Sequence, residues 1–316
     1  MLAIEGLTKR FGTVTALDGV SFDVRPGELF GFVGGNGAGK TTTMRIVLGV
    51  LASDGGSVGW QGRPIDADAR RRIGYLPEER GLYPKMRVAE QLGYLARLHG
   101  MGAADARAAV ERWTERVGVS ARTGDPVEKL SLGNQQRVQL CAALVHDPDV
   151  LVLDEPFSGL DPTAVETMST VLAEKAASGT PVIFSSHQLE LVERLCDRVG
   201  IISAGRMVAV GTVDELRAGE TARIDVVGPP AGWAHGVAGV TVTETGHRPG
   251  GDWTRVALDQ GTDDQAVLHA AIAAGPVREF TPYRPPLTEL YRDAVADRVV
   301  TEHAADARPE TAGAMS

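Results

Sequence analysis

Two groups of residues in this sequence have the types and spacing needed for phosphate and metal chemistry. The first is a loop of the pattern G-x-x-x-x-G-K-[ST], made of Gly34, Gly35, Asn36, Gly37, Ala38, Gly39, Lys40 and Thr41. It lies between the apolar run Leu29–Val33 and a helical segment that begins at Thr42. Glycines let successive backbone N–H groups and a helix N-terminus face phosphates. Lys40 would neutralise the outer phosphates, and Thr41 would offer a hydroxyl to Mg²⁺. The order strand, loop, helix predicts a nucleotide phosphate site, and the alternative is a glycine-rich turn.

The second group joins a buried strand to two carboxylates. Val150–Leu153 is an apolar run typical of parallel sheets, and Asp154 and Glu155 follow it directly. Ligands of α/β sheets gather at such strand ends. Asp154 would hold Mg²⁺, directly or through water, and Glu155 would polarise the water that attacks the terminal phosphate. Taken alone, the pattern also fits a strand followed by an acidic helix cap.

The elements that must position these groups alternate along the chain. Residues 1 to about 217 alternate short apolar strands with helical patterns, which predicts an α/β domain with its sheet covered on both faces. From about residue 83 to 145 helical patterns prevail, and we expect a helical subdomain there. Residues 219–300 show short strand-like pieces and one helical stretch, which predicts a small accessory α/β domain. Residues 301–316 lack apolar periodicity and are predicted to be disordered.

Composition places the chain among ordinary globular proteins. Its 316 residues are 43% hydrophobic, and a net charge of -9 argues against broad nucleic-acid binding, which needs clustered Lys and Arg. Cys141 and Cys196 are far apart in apolar surroundings, so we expect two buried thiols in a reducing compartment. We find no secretion signal and no uncharged apolar run of about 18 residues, so any membrane role is expected to come through a partner.

Three further motifs surround the acidic strand. Leu130–Arg137 reads LSLGNQQR, Ser158–Asp161 reads SGLD, and His187 follows the apolar run Val182–Ser185. With the phosphate loop, these motifs resemble, in order and type, the nucleotide-binding subunits of ABC transporters across the whole first domain. The resemblance implies a P-loop NTPase fold, ATP and Mg²⁺ as cofactors, and ATP hydrolysis. The signature motif, the segment Gly74–Arg80 and the extra C-terminal domain are similar to subunits that serve ABC-2-type exporters.

The family that this chain resembles shares its ATP sites between two subunits. The signature motif of one subunit caps the ATP held by the other, so two sites form across one two-fold interface. Ser131 and Gly133 would present a hydroxyl and a backbone N–H to the partner's γ-phosphate. Ser131 also fits an ordinary N-cap of a helix over Asn134–Leu144. Thr42 and Gln135 are carried over as further nucleotide-binding positions.

Three single residues match other functional positions of the family. His187 would bond the γ-phosphate and hold the water and Glu155 in place, whereas a lone histidine after a strand is otherwise structural. Asp161 would run between the two subunits, although Asp161-Pro162 by itself fits a turn or a helix start. Phe11 would stack on adenine, and without the resemblance it would be interpreted as a core residue.

Some positions depart from the family pattern. Glu78 stands where the family has a glutamine that senses Mg²⁺ and the attacking water. A carboxylate can ligate Mg²⁺ but adds repulsion toward the γ-phosphate, so we expect an altered Mg²⁺ dependence. The alternative places Glu78 in a solvated loop. Gly35 replaces the usual Pro or Ser and adds loop entropy, and Leu132 and Asn134 replace the usual Gly and Gln of the signature.

The resemblance also implies partners. A second copy or a homologous ATPase subunit would complete the ATP sites, and an integral membrane permease would contact the segment from about Glu78 to Gln91. Arg80, Tyr83 and Pro84 are candidate contacts there, unless this segment is a charged solvated loop. The chain would then lie on the cytoplasmic face of the cell membrane and drive export of a drug-like, lipid or ionic substrate, without nucleic acid.

Two other functions stay open. One is a soluble ABC ATPase of DNA repair or translation, which the single cassette, the acidic charge and the lack of room for a long coiled coil disfavour. The other is a nucleotide-dependent regulator without turnover, which the intact set of Lys40, Asp154, Glu155 and His187 disfavours.

Overall fold

A computed structural model describes residues 1–79, 81–218 and 221–306, with side chains of the last helix described as far as residue 296. The chain divides into two compact units, of which the second covers Asp214–Leu290. This unit begins and ends several residues earlier than the predicted 219–300. Arg80, one of the candidate permease contacts, lies outside the described residues.

The first unit contains two sheets, whereas the sequence analysis expected one. Its strands are β1 (Leu2–Phe11), β2 (Val14–Val24), β3 (Leu29–Val33), β4 (Gly55–Trp60), β5 (Arg63–Pro64), β6 (Ile73–Leu76), β7 (Val150–Asp154), β8 (Val182–Ser186), β9 (Arg198–Ser203) and β10 (Arg206–Gly211). An antiparallel sheet has the order β2-β1-β4-β5, and a six-stranded sheet has the order β10-β9-β3-β8-β7-β6. Only β10 runs antiparallel in the larger sheet.

The burial patterns explain this division. Every residue of β3, β7 and β8 is buried, as in a parallel sheet covered on both faces. β1 and β2 instead contain both buried and exposed residues and pair as a hairpin. This pattern is typical of an antiparallel sheet with one solvent-exposed face.

The helices of the first unit include the predicted helical subdomain. They are α1 (Lys40–Val47), α2 (Ala67–Arg71), α3 (Val88–Leu98), α4 (Ala103–Arg116), α5 (Leu132–Leu144), α6 (Pro162–Ala177) and α7 (Leu189–Leu195). α3, α4 and α5 pack on one another, and short 3₁₀ turns connect α4 to α5. α3 buries Val88, Leu92 and Ala96 along one stripe, as the helical period requires.

The second unit is a four-stranded antiparallel sheet with one helix on its apolar face. Its elements are β11 (Arg223–Val227), β12 (Val240–Arg248), β13 (Gly251–Leu258), α9 (Asp264–Ala274) and β14 (Glu279–Tyr283), with the strand order β12-β13-β11-β14. Ile224, Val226 and Val256 form the core with Val267 and Ala271 of α9.

Two short elements and one long helix complete the described chain. α8 (Val213–Arg217) lies at the start of the second unit, and α10 (Leu287–Asp306) ends the description. The sequence analysis missed β14 and α10. The prediction of disorder is wrong for residues 301–306, which are helical, and residues 307–316 lie outside the described part of the chain.

Two sequence expectations concern thiols and membrane segments. Cys141 is buried as predicted, but Cys196 is only partly buried, and burial raises the pKa of both thiols.

Among residues 1–79, 81–218 and 221–306, no helix combines the length and the apolar character needed to cross a membrane.

Candidate nucleotide site

Three neighbouring parallel strands bring the predicted groups to one edge of the larger sheet. β3, β8 and β7 lie side by side, so their carboxyl ends meet. The phosphate loop follows β3, Glu155 follows β7 and His187 follows β8. In the strand register Asp154 lies opposite Ser185. Residues that are more than a hundred positions apart therefore surround one small volume.

The phosphate loop has the geometry that its glycines permit. Gly37 and Gly39 have φ of 75° and 113°, in the left-handed region that favours glycine, and α1 begins immediately afterwards at Lys40. The Lys40 side chain is 8% exposed, and its ammonium donates hydrogen bonds to the carbonyl oxygens of Gly34 at 2.7 Å and Gly35 at 3.3 Å. The loop thus holds a buried positive charge at a helix N-terminus, where anions bind favourably.

A cavity of about 280 Å³ lies over this loop. Its lining consists of Gly35, Asn36, Gly37, Ala38, Gly39, Lys40, Thr41, Thr42, Glu78, Asp154 and Glu155. All of these except Glu155 are positions that the sequence analysis assigns to nucleotide or Mg²⁺, and Glu155 is its predicted catalytic base. The structure therefore unites both groups in one site.

Asp154 has one oxygen that is well suited to a cation. The residue is 1% exposed, and its Oδ1 accepts a hydrogen bond from Ser185 Oγ at 2.5 Å. Its Oδ2 is buried and has no hydrogen-bond partner among the described residues. A buried carboxylate oxygen is costly unless a partner satisfies it, and Mg²⁺ or its water is such a partner. Thr41 and Glu78 line the same cavity, so the donor set fits Mg²⁺.

Glu155 and His187 form a pair. Nδ1 of His187 lies 2.9 Å from Oε2 of Glu155, and the carboxylate is nearly buried while the imidazole is 60% exposed. Because a carboxylate only accepts, His187 donates this hydrogen bond from Nδ1. Glu155 also has φ of 50°, a conformation uncommon outside glycine that often marks functional sites.

Two residues of the site were missed by the sequence analysis. Ser185 is fully buried and contacts both carboxylate residues, because its Oγ also accepts a hydrogen bond from the Glu155 N–H at 2.9 Å. Tyr75 lies on β6 and lines an adjoining cavity together with Glu78 and Asp154. Burial raises the pKa of the Tyr75 hydroxyl, and the negative charge of Asp154 adds to that rise. Tyr75 lies within the segment Gly74–Arg80 and Ser185 ends the run before His187, but neither residue type at these positions indicates contact with a carboxylate.

The signature motif lies elsewhere on the subunit. Ser131 is exposed and caps α5, accepting a hydrogen bond from the Asn134 N–H at 3.4 Å, so its ordinary capping role is confirmed. Gln135 donates to the carbonyl oxygens of Val127 and Leu130 in its own chain. Within the described ranges, neither Ser131 nor Gly133 lines the phosphate cavity of its own subunit.

The other predicted contacts are placed as follows. Phe11 is 51% exposed at the end of β1 and lines the adjoining cavity, so the interpretation of Phe11 as a core residue is wrong. Asp161 caps α6 by accepting from the Ala164 N–H at 2.8 Å, with Pro162 as the first helical residue. Glu78 is exposed in a bend after β6. The exposure of Glu78 agrees with the solvated-loop alternative, whereas its position in the cavity lining agrees with a role as a metal ligand.

Both units of the chain are similar in sequence to known protein families. Residues 17–158 match the ABC transporter family, and residues 211–295 match the C-terminal domain of DrrA1-3-like ATP-binding proteins. The ABC transporter ATP-binding protein YhaQ of Bacillus subtilis is 46% identical over 217 residues, covering 69% of this chain and 73% of that protein. The Nod factor export ATP-binding protein I of Paraburkholderia xenovorans is 40% identical over 233 residues, covering 72% and 77%.

Solved structures agree with these relatives. The structure of an ATP-binding subunit of an ABC transporter superposes with a TM-score of 0.65 at 30% identity, covering 69% of this chain and 92% of that one. The comparisons confirm the predicted family, fold and additional C-terminal domain, and they do not favour a soluble ATPase of DNA repair or translation. This chain therefore belongs to the ATP-binding proteins of ABC transporters and is an ABC-type ATPase.

Proposed function

We propose that this chain drives an ABC-2-type exporter and works as a head-to-tail pair with a second copy or a homologous subunit. One observation carries the proposal. Lys40, Asp154 and Glu155 line the phosphate cavity, and His187 is hydrogen-bonded to Glu155. Ser131, by contrast, is exposed at the N-terminus of α5 and does not line that cavity. A subunit thus contains the two parts of an ATP site in separate places, and a two-fold pair joins them.

In such a pair ATP holds the subunits together. Its phosphates contact Lys40 and Thr41 of one subunit, and the exposed α5 N-terminus of the other offers the Ser131 hydroxyl and the Gly133 N–H. The nucleotide stabilises the closed state only through these additional contacts, so closure depends on the intact triphosphate. Phe11, with its ring half exposed beside the site, is available to stack on adenine.

The residues of one subunit then have distinct tasks in hydrolysis. Glu155 is the general base for the attacking water, and His187 orients the Glu155 carboxylate through the Nδ1–H hydrogen bond. Lys40 stabilises the negative charge on the outer phosphates. Mg²⁺, held by Thr41, Asp154 and Glu78, would supply further neutralisation of phosphate charge. Asp161, at the start of α6, is assigned to the contact between subunits.

A second cavity supports a route from the phosphates to a membrane partner. It has about 570 Å³ and shares Thr41, Thr42, Glu78 and Asp154 with the phosphate cavity. Its lining also includes Val50, an apolar side chain that is 75% exposed. Exposed apolar side chains next to a ligand site suit contact with another protein.

The membrane partner in this proposal is a permease that contacts Val50 and the segment from Glu78 to Gln91. Tyr83, which is 59% exposed, and Pro84, which is also exposed, are candidate contacts in that segment. The subunit would then be held at the cytoplasmic face of the membrane. The exported substrate is assigned only to the broad class of drug-like, lipid or ionic compounds.

The test uses a variant that binds ATP but does not turn it over. Glu155→Gln with ATP and Mg²⁺ is expected to form a dimer in size-exclusion chromatography with light scattering and to release no phosphate steadily. Adding Ser131→Arg to it should abolish the dimer, whereas adding Ser169→Ala, a buried serine whose hydroxyl has no described hydrogen-bond partner, should not. Co-purification with a six-span permease encoded in the neighbouring reading frame tests the membrane partner. A Glu155→Gln protein that stays monomeric with ATP, Mg²⁺ and that permease contradicts the proposal.

A further inference from the structure

We infer that Ser185 is a positioning residue that orients both carboxylate residues of the site. The inference rests on the proposed role of Asp154 toward Mg²⁺. Ser185 lies on β8, between the strand that leads to the phosphate loop and the strand that ends at Asp154, and it has no exposed surface. A buried hydroxyl between these strands would need only one partner, but this one has two, and both belong to the site.

The direction of the two hydrogen bonds is determined by their partners. The backbone N–H of Glu155 can only donate, so Ser185 Oγ accepts at 2.9 Å. The Ser185 hydroxyl hydrogen is then available for Oδ1 of Asp154, which accepts at 2.5 Å. Ser185 therefore uses its donor and its acceptor capacity at once, and each interaction restricts the other.

The first consequence concerns the Asp154 carboxylate. The terminal torsion of an aspartate side chain is broad and roughly two-fold, so a free carboxylate exchanges its two oxygens readily. The Ser185 hydroxyl engages Oδ1, whereas Oδ2 is buried and has no hydrogen-bond partner in the described chain. Asp154 lines the phosphate cavity, so Oδ2 is the oxygen left for a ligand there. One oxygen is thereby selected for the cation.

The second consequence concerns the Glu155 backbone. Its left-handed conformation, with φ of 50°, persists only where surrounding contacts hold it. The hydrogen bond from the Glu155 N–H to Ser185 is such a contact, and it aims the Glu155 side chain toward His187. The neighbouring Ser186 has a different partner, because its Oγ accepts from the Gln188 N–H at 3.0 Å.

The experiment measures metal binding without turnover. Full-length Glu155→Gln protein is saturated with ATP, and Mn²⁺ binding is followed by electron paramagnetic resonance as a probe of the Mg²⁺ site. ATP binding in EDTA is measured separately with a fluorescent ATP analogue. The added substitutions are Ser185→Ala, the conservative Ser185→Thr, Asp154→Asn, and the control Ser169→Ala. Melting temperatures are recorded for all.

The expected result is selective. Ser185→Ala should weaken Mn²⁺ binding about tenfold, the effect of losing a hydrogen bond to a charged group. Its ATP binding in EDTA should stay within about twofold, because the phosphate loop is untouched. Ser185→Thr should restore most of the Mn²⁺ affinity, and Ser169→Ala should bind Mn²⁺ as the parent does.

Two results would overturn the inference. In the first, Ser185→Ala keeps the parent's Mn²⁺ affinity while Asp154→Asn loses it, so that the metal role of Asp154 stands but Ser185 has no part in it. In the second, a stably folded Ser185→Thr protein binds Mn²⁺ as weakly as Ser185→Ala does. An Asp154→Asn protein with full Mn²⁺ affinity would instead contradict the metal assignment in the proposed function.

Discussion

His146 is a histidine kept neutral inside the folded helical subdomain. It follows α5, and its ring stacks on that of His99 at the end of α3, with ring centroids 3.7 Å apart. Both ring nitrogens of His146 are shielded from solvent. Burial, with smaller contributions from His99 and Lys175, lowers the pKa of His146 to about 4, although the backbone of Ile73 and the charge of Asp147 oppose this shift. Acid should therefore destabilise this part of the fold.

The size of the effect follows from linkage. The ordinary pKa of histidine is 6.5, and the folded-state value is lower, so the unfolded chain binds the proton first. The stability that neutral His146 contributes is complete above pH 6.5 and is lost as the pH falls toward 4. Between pH 7.5 and 5 the two pKa values correspond to a loss of about 2 kcal/mol. The ring is only partly buried, and solvent screening reduces the expected loss to about 1 kcal/mol.

The assay compares urea unfolding of the parent protein and His146→Phe at pH 7.5, 6.5 and 5. Phenylalanine keeps an aromatic ring against His99 but does not titrate, so it serves as the matched reference. The parent should lose about 1 kcal/mol more of its unfolding free energy than the variant over this range. If both proteins lose the same free energy to within about 0.3 kcal/mol, His146 does not titrate as its surroundings require and the reasoning fails.

Four other substitutions test separate contacts. Lys40→Ala removes the ammonium beneath the phosphates, and its affinity for a fluorescent ATP analogue should fall at least about tenfold. Glu78→Gln removes a negative charge from the phosphate cavity and should shift the Mg²⁺ concentration for half-maximal phosphate release; an unchanged titration contradicts its metal role. Gln139→Leu removes the hydrogen bond that Gln139 donates to the carbonyl oxygen of Pro77, just after β6, and should lower the unfolding free energy in urea by about 1 kcal/mol. Arg255→Met leaves the carboxylate of Asp225 without its closest cation and should lower the stability of the second unit by about 2 kcal/mol or more, seen as an earlier urea transition.

The sequence predicted the parts of the site whose chemistry is local. A phosphate loop needs its glycines, Lys40 and Thr41 to be consecutive, and a metal carboxylate beside a base needs Asp154 and Glu155 at the end of one strand. In such segments the order of the residues determines the local geometry, and the structure places both segments at one cavity. Whether Ser131 and His187 contact nucleotide stays a prediction, although His187 does lie against Glu155.

Features that depend on distant pairing could not be predicted. Ser185 becomes part of the site because β8, the later strand in the chain, inserts between β3 and β7. No local pattern specifies which strands will be neighbours. The second sheet of the first unit was missed for the same reason, since β1 pairs with β4 across the phosphate loop and α1. α10 was also missed, although Leu287, Leu290, Tyr291 and Ala294 recur at the spacing of a helix.

The helix α5 connects the two halves of an ATP site within one subunit. Ser131 is exposed at the N-terminus of this helix. Two buried glutamines of the same helix donate hydrogen bonds to backbone carbonyl oxygens next to the subunit's own site. Gln136 donates to the carbonyl oxygen of Pro156, the residue after Glu155, and Gln139 donates to that of Pro77, the residue before Glu78. In the proposed pair, α5 contacts the partner's nucleotide. A shift of α5 would therefore pull on the backbone next to Glu155 and Glu78 through these two hydrogen bonds. If the subunits pair as proposed, α5 of each subunit would link the partner's nucleotide to the backbone beside Glu155 and Glu78 of its own site.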